Sequence, residues 1–245
     1  MKTKIWSIVL VSGLLIGLNA SAQKENPAKP VHTFFDLTGA IGSGQGSVAG
    51  SYVYNFKTGK KKKFELGLGL RFTSYFGSNQ NFTTAPAKLT SGKTGPAVFF
   101  SDNIPENIDT LFFNKPQINS LNLSFNFGYH FTPKFLVGFN IDAIGFSFGG
   151  SKTATYLDGN NINPPTAKPT GFNLLLISDN DLGSLNSEFF GTYQFSKNWS
   201  AKAGYQFLFA EYTTDQKVQT TPDGQKNDRF RNKMSAIAVG LVYHF

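Results

Sequence analysis

Residues 121–131 read LNLSFNFGYHF, and the two faces of this run separate without a break. One face carries Leu121, Leu123, Phe125, Phe127, Tyr129 and Phe131; the other carries Asn122, Ser124, Asn126, Gly128 and His130. Strict period-two alternation is the signature of a β-strand with an apolar medium on one side and a polar one on the other. The run also matches the roughly 9–11 residues that a tilted strand needs to cross the hydrocarbon of a bilayer.

The pattern recurs along the chain. Phe64, Leu66, Leu68, Leu70 and Phe72 alternate with Glu65, Gly67, Gly69, Arg71 and Thr73. Phe135, Val137, Phe139, Ile141 and Ala143 alternate with Leu136, Gly138, Asn140, Asp142 and Ile144. Trp199, Ala201, Ala203, Tyr205, Phe207 and Phe209 oppose Ser200, Lys202, Gly204, Gln206 and Leu208, and Ile237, Val239, Leu241, Tyr243 and Phe245 oppose Ala238, Gly240, Val242 and His244. Weaker versions lie at 33–41, 49–56 and 185–195. The total is eight strands, an even number as single-chain outer-membrane barrels have.

The connections alternate in length. Those at 57–63, 132–134 and 196–198 are short; those at 77–116, 149–184 and 213–232 are long, and among the latter set only 42–46 is short. Short turns at one end and long loops at the other is the asymmetry of a membrane barrel. It places both termini on the periplasmic side and loops 77–116 and 149–184 outside. Aromatic residues gather beside the short turns: Tyr54, Phe56, Tyr129, Phe131, Phe135, Tyr193, Phe195, Trp199, Tyr243 and Phe245. They read as a periplasmic aromatic girdle.

Composition agrees. The chain holds 26 Phe and 25 Gly, and only 16% of its residues are charged, which suits short strands and many turns better than soluble helices. No run of 18 apolar residues follows residue 22, so helical spans are excluded, and closed barrels are the other structure that can cross lipid. Residues 1–22 read as a cleaved signal peptide, with Lys2 and Lys4 before an apolar stretch and Ala20, Ser21 and Ala22 at the cleavage site. Loss of those two lysines takes the formal charge from +8 to +6. Residues 23–31 form a linker and 32–245 the barrel. The absence of Cys removes disulfides, thiol chemistry and a lipoprotein anchor.

The expected fold is therefore all-β: an eight-stranded antiparallel transmembrane up-and-down β-barrel. With its signal peptide, its alternating strands and its ending Val239, Leu241, Tyr243 and Phe245, the chain resembles the small OmpA/OmpX-type outer-membrane barrels across nearly all of 32–245. The resemblance implies bacterial outer-membrane localisation. It also implies that Leu241, Tyr243 and Phe245 act as the signal read by the barrel-assembly machinery. With 32–245 taken up by the barrel, no residues are expected to remain for the peptidoglycan-binding domain that some longer relatives append.

An eight-stranded lumen is just wide enough for side chains to fill it. Alternation points Asp36, Glu65, Arg71, His130, Asn140, Asp142, Glu188, Lys202 and His244 inward. Buried charges of both signs call for a paired network. Lys202 and Glu188 stand at similar heights above the 196–198 turn and form the expected pair. The three histidines, His32, His130 and His244, show no spacing to a serine nucleophile and no metal-ligand motif, so neither catalysis, a metal nor a cofactor is expected. The run Lys60–Lys63 reads as a solvated turn, and nucleic-acid binding is not expected.

Within the long loops, the runs Ala97-Val98-Phe99-Phe100, Leu111-Phe112-Phe113 and Leu174-Leu175-Leu176-Ile177 read as hairpin extensions or as a partner-binding patch. The function expected is a structural or loop-mediated binding and adhesion role, with outer-membrane lipids as surroundings. A small ion or solute channel is the alternative, and a lipid-modifying enzyme a further one.

Overall fold

The computed structural model describes residues 30–158 and 163–245. The expected signal peptide lies outside them, as does the linker except for Pro30 and Val31. Eight long strands run β1 (Val31–Gly42), β2 (Gln45–Thr58), β3 (Phe64–Gly77), β4 (Gln117–His130), β5 (Phe135–Phe148), β6 (Leu185–Gln194), β7 (Trp199–Thr214) and β8 (Arg229–His244). Each pairs antiparallel with the next. β8 then pairs with β1, with Phe35 opposite Tyr243 and Leu37 opposite Leu241. The sheet closes, and no edge strand remains in the barrel.

Sequence chemistry sets the turns. Gly44 closes the β1–β2 hairpin at φ +65°, a backbone region that a residue without Cβ enters freely. Thr132 turns the chain between β4 and β5 by accepting the amides of Lys134 and Phe135 on its hydroxyl at 3.2 and 3.0 Å. Asn198, between β6 and β7, donates its amide to the His244 carbonyl at 2.8 Å and pins the end of β8.

The outward face is apolar. Leu68, Leu123, Phe125, Ile237 and Val239 are exposed, while their neighbours Glu65, Arg71, Asn122 and Ser124 are buried. One departure from simple alternation lies in β5. Ser124 stands opposite Asp142 but Leu123 opposite Ile144, so Ala143 is an extra, bulged residue. The bulge reverses the phase of the strand. Ile144, expected inward, is exposed together with Phe146 and Phe148. The freed Ala143 carbonyl accepts the amide of Leu175 at 2.7 Å, which ties the following loop to the wall.

Above the long-loop end stands a second closed ring. The β1–β2 hairpin is short, so the upper part of β8 lacks a neighbour on that side. Strand Gln80–Thr84 crosses over the hairpin and takes the place, with Phe230 opposite Thr84. It pairs with Thr110–Phe113, which pairs with Thr155–Tyr156. On the other side β7 pairs with Thr166–Pro169, which pairs with Lys152–Thr153. Only Ala154 separates the last two ends, so the pairings run full circle.

This upper ring has its own core, in which Tyr75, Phe82, Leu111, Phe113, Ile118, Tyr212, Phe230 and Met234 are buried. Phe113 stacks on Tyr212 at 4.5 Å and Phe82 meets both rings edge-on. Each such aromatic pair contributes about 0.5–1.5 kcal/mol beyond area burial. The expected loop 213–232 is correspondingly shorter, since β7 runs to Thr214 and β8 starts at Arg229. Those extensions hold because Glu211 is buried between Arg229 and Arg231, at 2.7 Å from each.

The apolar runs of the long loops divide. Leu111 and Phe113 fill the upper core, and Leu174 belongs to a short strand beside β5. The run 97–100 is no hairpin extension. It lies in the 3-10 helix Gly95–Phe100, started by Gly95 at φ +62° and Pro96, and leaves Phe99 and Phe100 exposed.

Candidate functional site

The lumen is a stack of layers, each assembled from several strands. At the short-turn end, His32 of β1, Glu65 of β3, His130 of β4 and His244 of β8 converge. Glu65 is fully buried and its carboxylate receives His32 Nδ1 at 2.9 Å, His130 Nε2 at 2.5 Å and Asn55 Nδ2 at 3.0 Å, with Lys57 Nζ 3.8 Å away. His32 Nε2 meets His244 Nδ1 at 2.7 Å, and His244 Nε2 meets Ser200 Oγ at 2.7 Å. The donor atoms of His32, Glu65 and His130 lie within 4.8 Å of one another. Every histidine of the chain is in this cluster, although they come from three strands far apart in sequence.

Above it lies an apolar layer of Phe34, Val53, Phe190 and Val242. It follows from the inward phase of β1, β2, β6 and β8, but the polar lumen expected from the sequence did not include it. Phe34 meets the His32 ring at 5.0 Å between centroids, and beside that contact a cavity of about 20 Å³ is lined by residues of both layers.

The third layer is charged and buried. Lys202 Nζ donates to Glu188 at 2.6 Å, to Thr38 Oγ1 at 3.0 Å and to Asp36. Gln206 donates to the other Glu188 oxygen at 3.0 Å and accepts from Ser47 Oγ at 2.6 Å; Asn140 reaches Glu188 at 3.3 Å. Arg71 makes an ion pair with Asp142 at 3.4 Å. Asp142 in turn accepts from Asn122 at 2.8 Å and from the Asn186 amide at 2.9 Å. Two cations thus meet three carboxylates, each side chain all but closed to solvent. Such a layer holds only because its members are paired. Lys202 also sits over the Phe190 ring at 4.5 Å, which joins this layer to the apolar one.

The upper ring tops the stack. Outside the barrel wall, burial raises the carboxyl pKa of Asp181 above its ordinary value, against the opposing pull of a hydrogen bond from the Leu176 amide and of Arg231.

The aromatic residues beside the short turns face outward. Tyr54, Phe56, Phe131, Phe135, Tyr193, Phe195, Trp199 and Phe245 are exposed, and Tyr129 and Tyr243 half-buried. Several touch in two separate runs along the wall: Phe64 with Tyr129, Tyr129 with Phe131 and Phe131 with Phe135 in one, and Trp199 with Tyr243, Tyr243 with Phe245 and Phe245 with Tyr52 in the other. Leu241 lies on the same outer face.

No protein-family model matches the chain, and no curated protein matches it in sequence. Among solved structures, the chain is similar to a major outer membrane protein from Thermus thermophilus, at 13% identity over 87% of this chain and 99% of that one, with a TM-score of 0.38. It is also similar to Neisserial surface protein A, at 10% identity over 88% of this chain and 96% of that one, with a TM-score of 0.34. A third is Ail, the attachment invasion locus protein of Yersinia pestis, again at 10% identity, 88% and 96% coverage and a TM-score of 0.34. At these values the likeness transfers no role to individual residues. The barrel itself rests on the strand pairing.

Proposed function

We propose that the protein is an integral outer-membrane β-barrel that conducts nothing and holds a rigid, folded platform above the membrane for loop-mediated binding or adhesion. The observation that carries this reading is double closure: a side-chain-filled lumen capped by a ring with its own apolar core. The exposed apolar band and the aromatic side chains at its lower edge favour lipid as the surroundings. Kinship with the OmpA/OmpX-type barrels, delivery by the N-terminal signal peptide, and insertion by machinery that reads Leu241, Tyr243 and Phe245 belong to the same proposal.

The platform is where a ligand would bind. Its two long loops are tied together by Asn180 and Gly95, whose groups exchange hydrogen bonds of 3.3 Å in both directions. Phe99, Phe100, Leu176 and Ile177 are left exposed on those loops, as suits a contact surface.

A narrow channel would need a continuous polar path, and the layer of Phe34, Val53, Phe190 and Val242 argues against one. We also propose no catalytic role. Ser200 is in line with His244, but it is buried inside the wall, on the opposite side from lipid. Single-channel recording in planar bilayers tests the proposal. A flat baseline is expected from the folded protein, and reproducible conductance steps would contradict it.

A further inference from the structure

We infer that the lower mouth of the barrel is a binding site for one divalent transition-metal ion of the zinc class, with His32, Glu65 and His130 as ligands. Imidazole nitrogens with one carboxylate are a donor set that such ions favour over calcium or magnesium. Donors around a tetrahedral ion at about 2.0–2.1 Å stand about 3.3 Å apart. His130 and His32 now stand 2.5 and 2.9 Å from Glu65, so each contact opens by less than about 1 Å to admit the ion. Their side chains are 20% and 16% exposed, which leaves the site reachable from the short-turn end. A cavity of about 20 Å³, lined by His32, Glu65 and His244 but not by His130, adjoins the cluster and has room for one water-sized molecule.

The surroundings are those of a built site. A ligating histidine is usually oriented by a partner on its other ring nitrogen, and a ligating carboxylate by a hydrogen-bond donor. Both are present. His32 Nε2 has His244 Nδ1 at 2.7 Å, and Glu65 has Asn55 at 3.0 Å. Without metal, the contacts fit one direction of donation: Ser200 to His244, His244 to His32, and His32 to Glu65. With metal on His32 Nδ1 the chain reverses, so that His32 Nε2–H donates to His244 and His244 to Ser200. Ser200 serves as either donor or acceptor, so the relay accommodates both states. Lys57, 3.8 Å from Glu65 and partly exposed, is the cation that competes with the metal for the carboxylate.

The test uses untagged chain folded in detergent, titrated with Zn²⁺ by calorimetry and with Co²⁺ by visible absorption. One ion per chain is expected, with the intense ligand-field bands of low-coordinate cobalt. His130→Asn and Glu65→Gln should each weaken binding roughly 100-fold, and Ser200→Ala, which touches no ligand atom, roughly 10-fold. Lys57→Met should tighten it. No stoichiometric binding, or binding indifferent to His130→Asn and Glu65→Gln, would overturn the inference and leave the cluster a hydrogen-bonded plug. If those variants fail to fold, X-ray absorption of the zinc-loaded parent chain decides. Scattering from at least two imidazoles is expected; an all-oxygen shell without imidazole would overturn it.

Discussion

Lys202 shows how a single side chain can be required by its surroundings. It is buried, and its ammonium is shared between Asp36 and Glu188. Replacing a buried ion pair by matched apolar groups is often harmless, but removing one partner strands the other. Lys202→Met strands two carboxylates at once. We expect it to lower stability by about 3–5 kcal/mol in urea unfolding of the protein in lipid vesicles. Adding Asp36→Asn and Glu188→Gln should recover part of the loss, and a loss below about 1 kcal/mol from Lys202→Met alone would show that the network is not holding the lumen. Which residues point inward was legible, because alternation assigns a face. Which of them meet was legible only for Lys202 and Glu188, whose heights both count from one short turn. Asp36 and the histidine cluster were not, since they depend on the register with which distant strands close the barrel.

The strands themselves were legible wherever outward leucines and phenylalanines marked the face, and the short turns wherever Gly, Thr or Asn set them. The bulge at Ala143 was not. Asp142, Ala143 and Ile144 carry no period-two cue that says which residue is extra. Deleting Ala143 leaves Asp142 inward and Ile144 outward in an unbroken ladder, at the cost of the Leu175 hydrogen bond, about 1 kcal/mol. Deleting Ile141 instead carries Asp142 to the outer face and strips Arg71 of its partner. The first variant should keep the heat-sensitive gel mobility of a folded barrel and the second should lose it. Equal behaviour of the two would contradict the bulge.

At the scale of the molecule, two closed rings are stacked. The lower is a barrel with a layered polar and apolar interior. The upper is a smaller ring of loop strands around aromatic side chains. The lower ring could be read from the chain because each strand carries its own repeating signal. The upper could not, because its loop strands are two to five residues long and are held by their neighbours rather than by any pattern of their own. The proposed function requires the outer face of the lower ring to meet lipid. The chain contains no Cys, so single cysteines can be placed at each position from 121 to 127, labelled with a fluorophore and challenged with brominated lipids in vesicles. Strong quenching is expected at positions 121, 123, 125 and 127 and weak quenching at 122, 124 and 126. Uniform quenching, or quenching in the opposite phase, would contradict it.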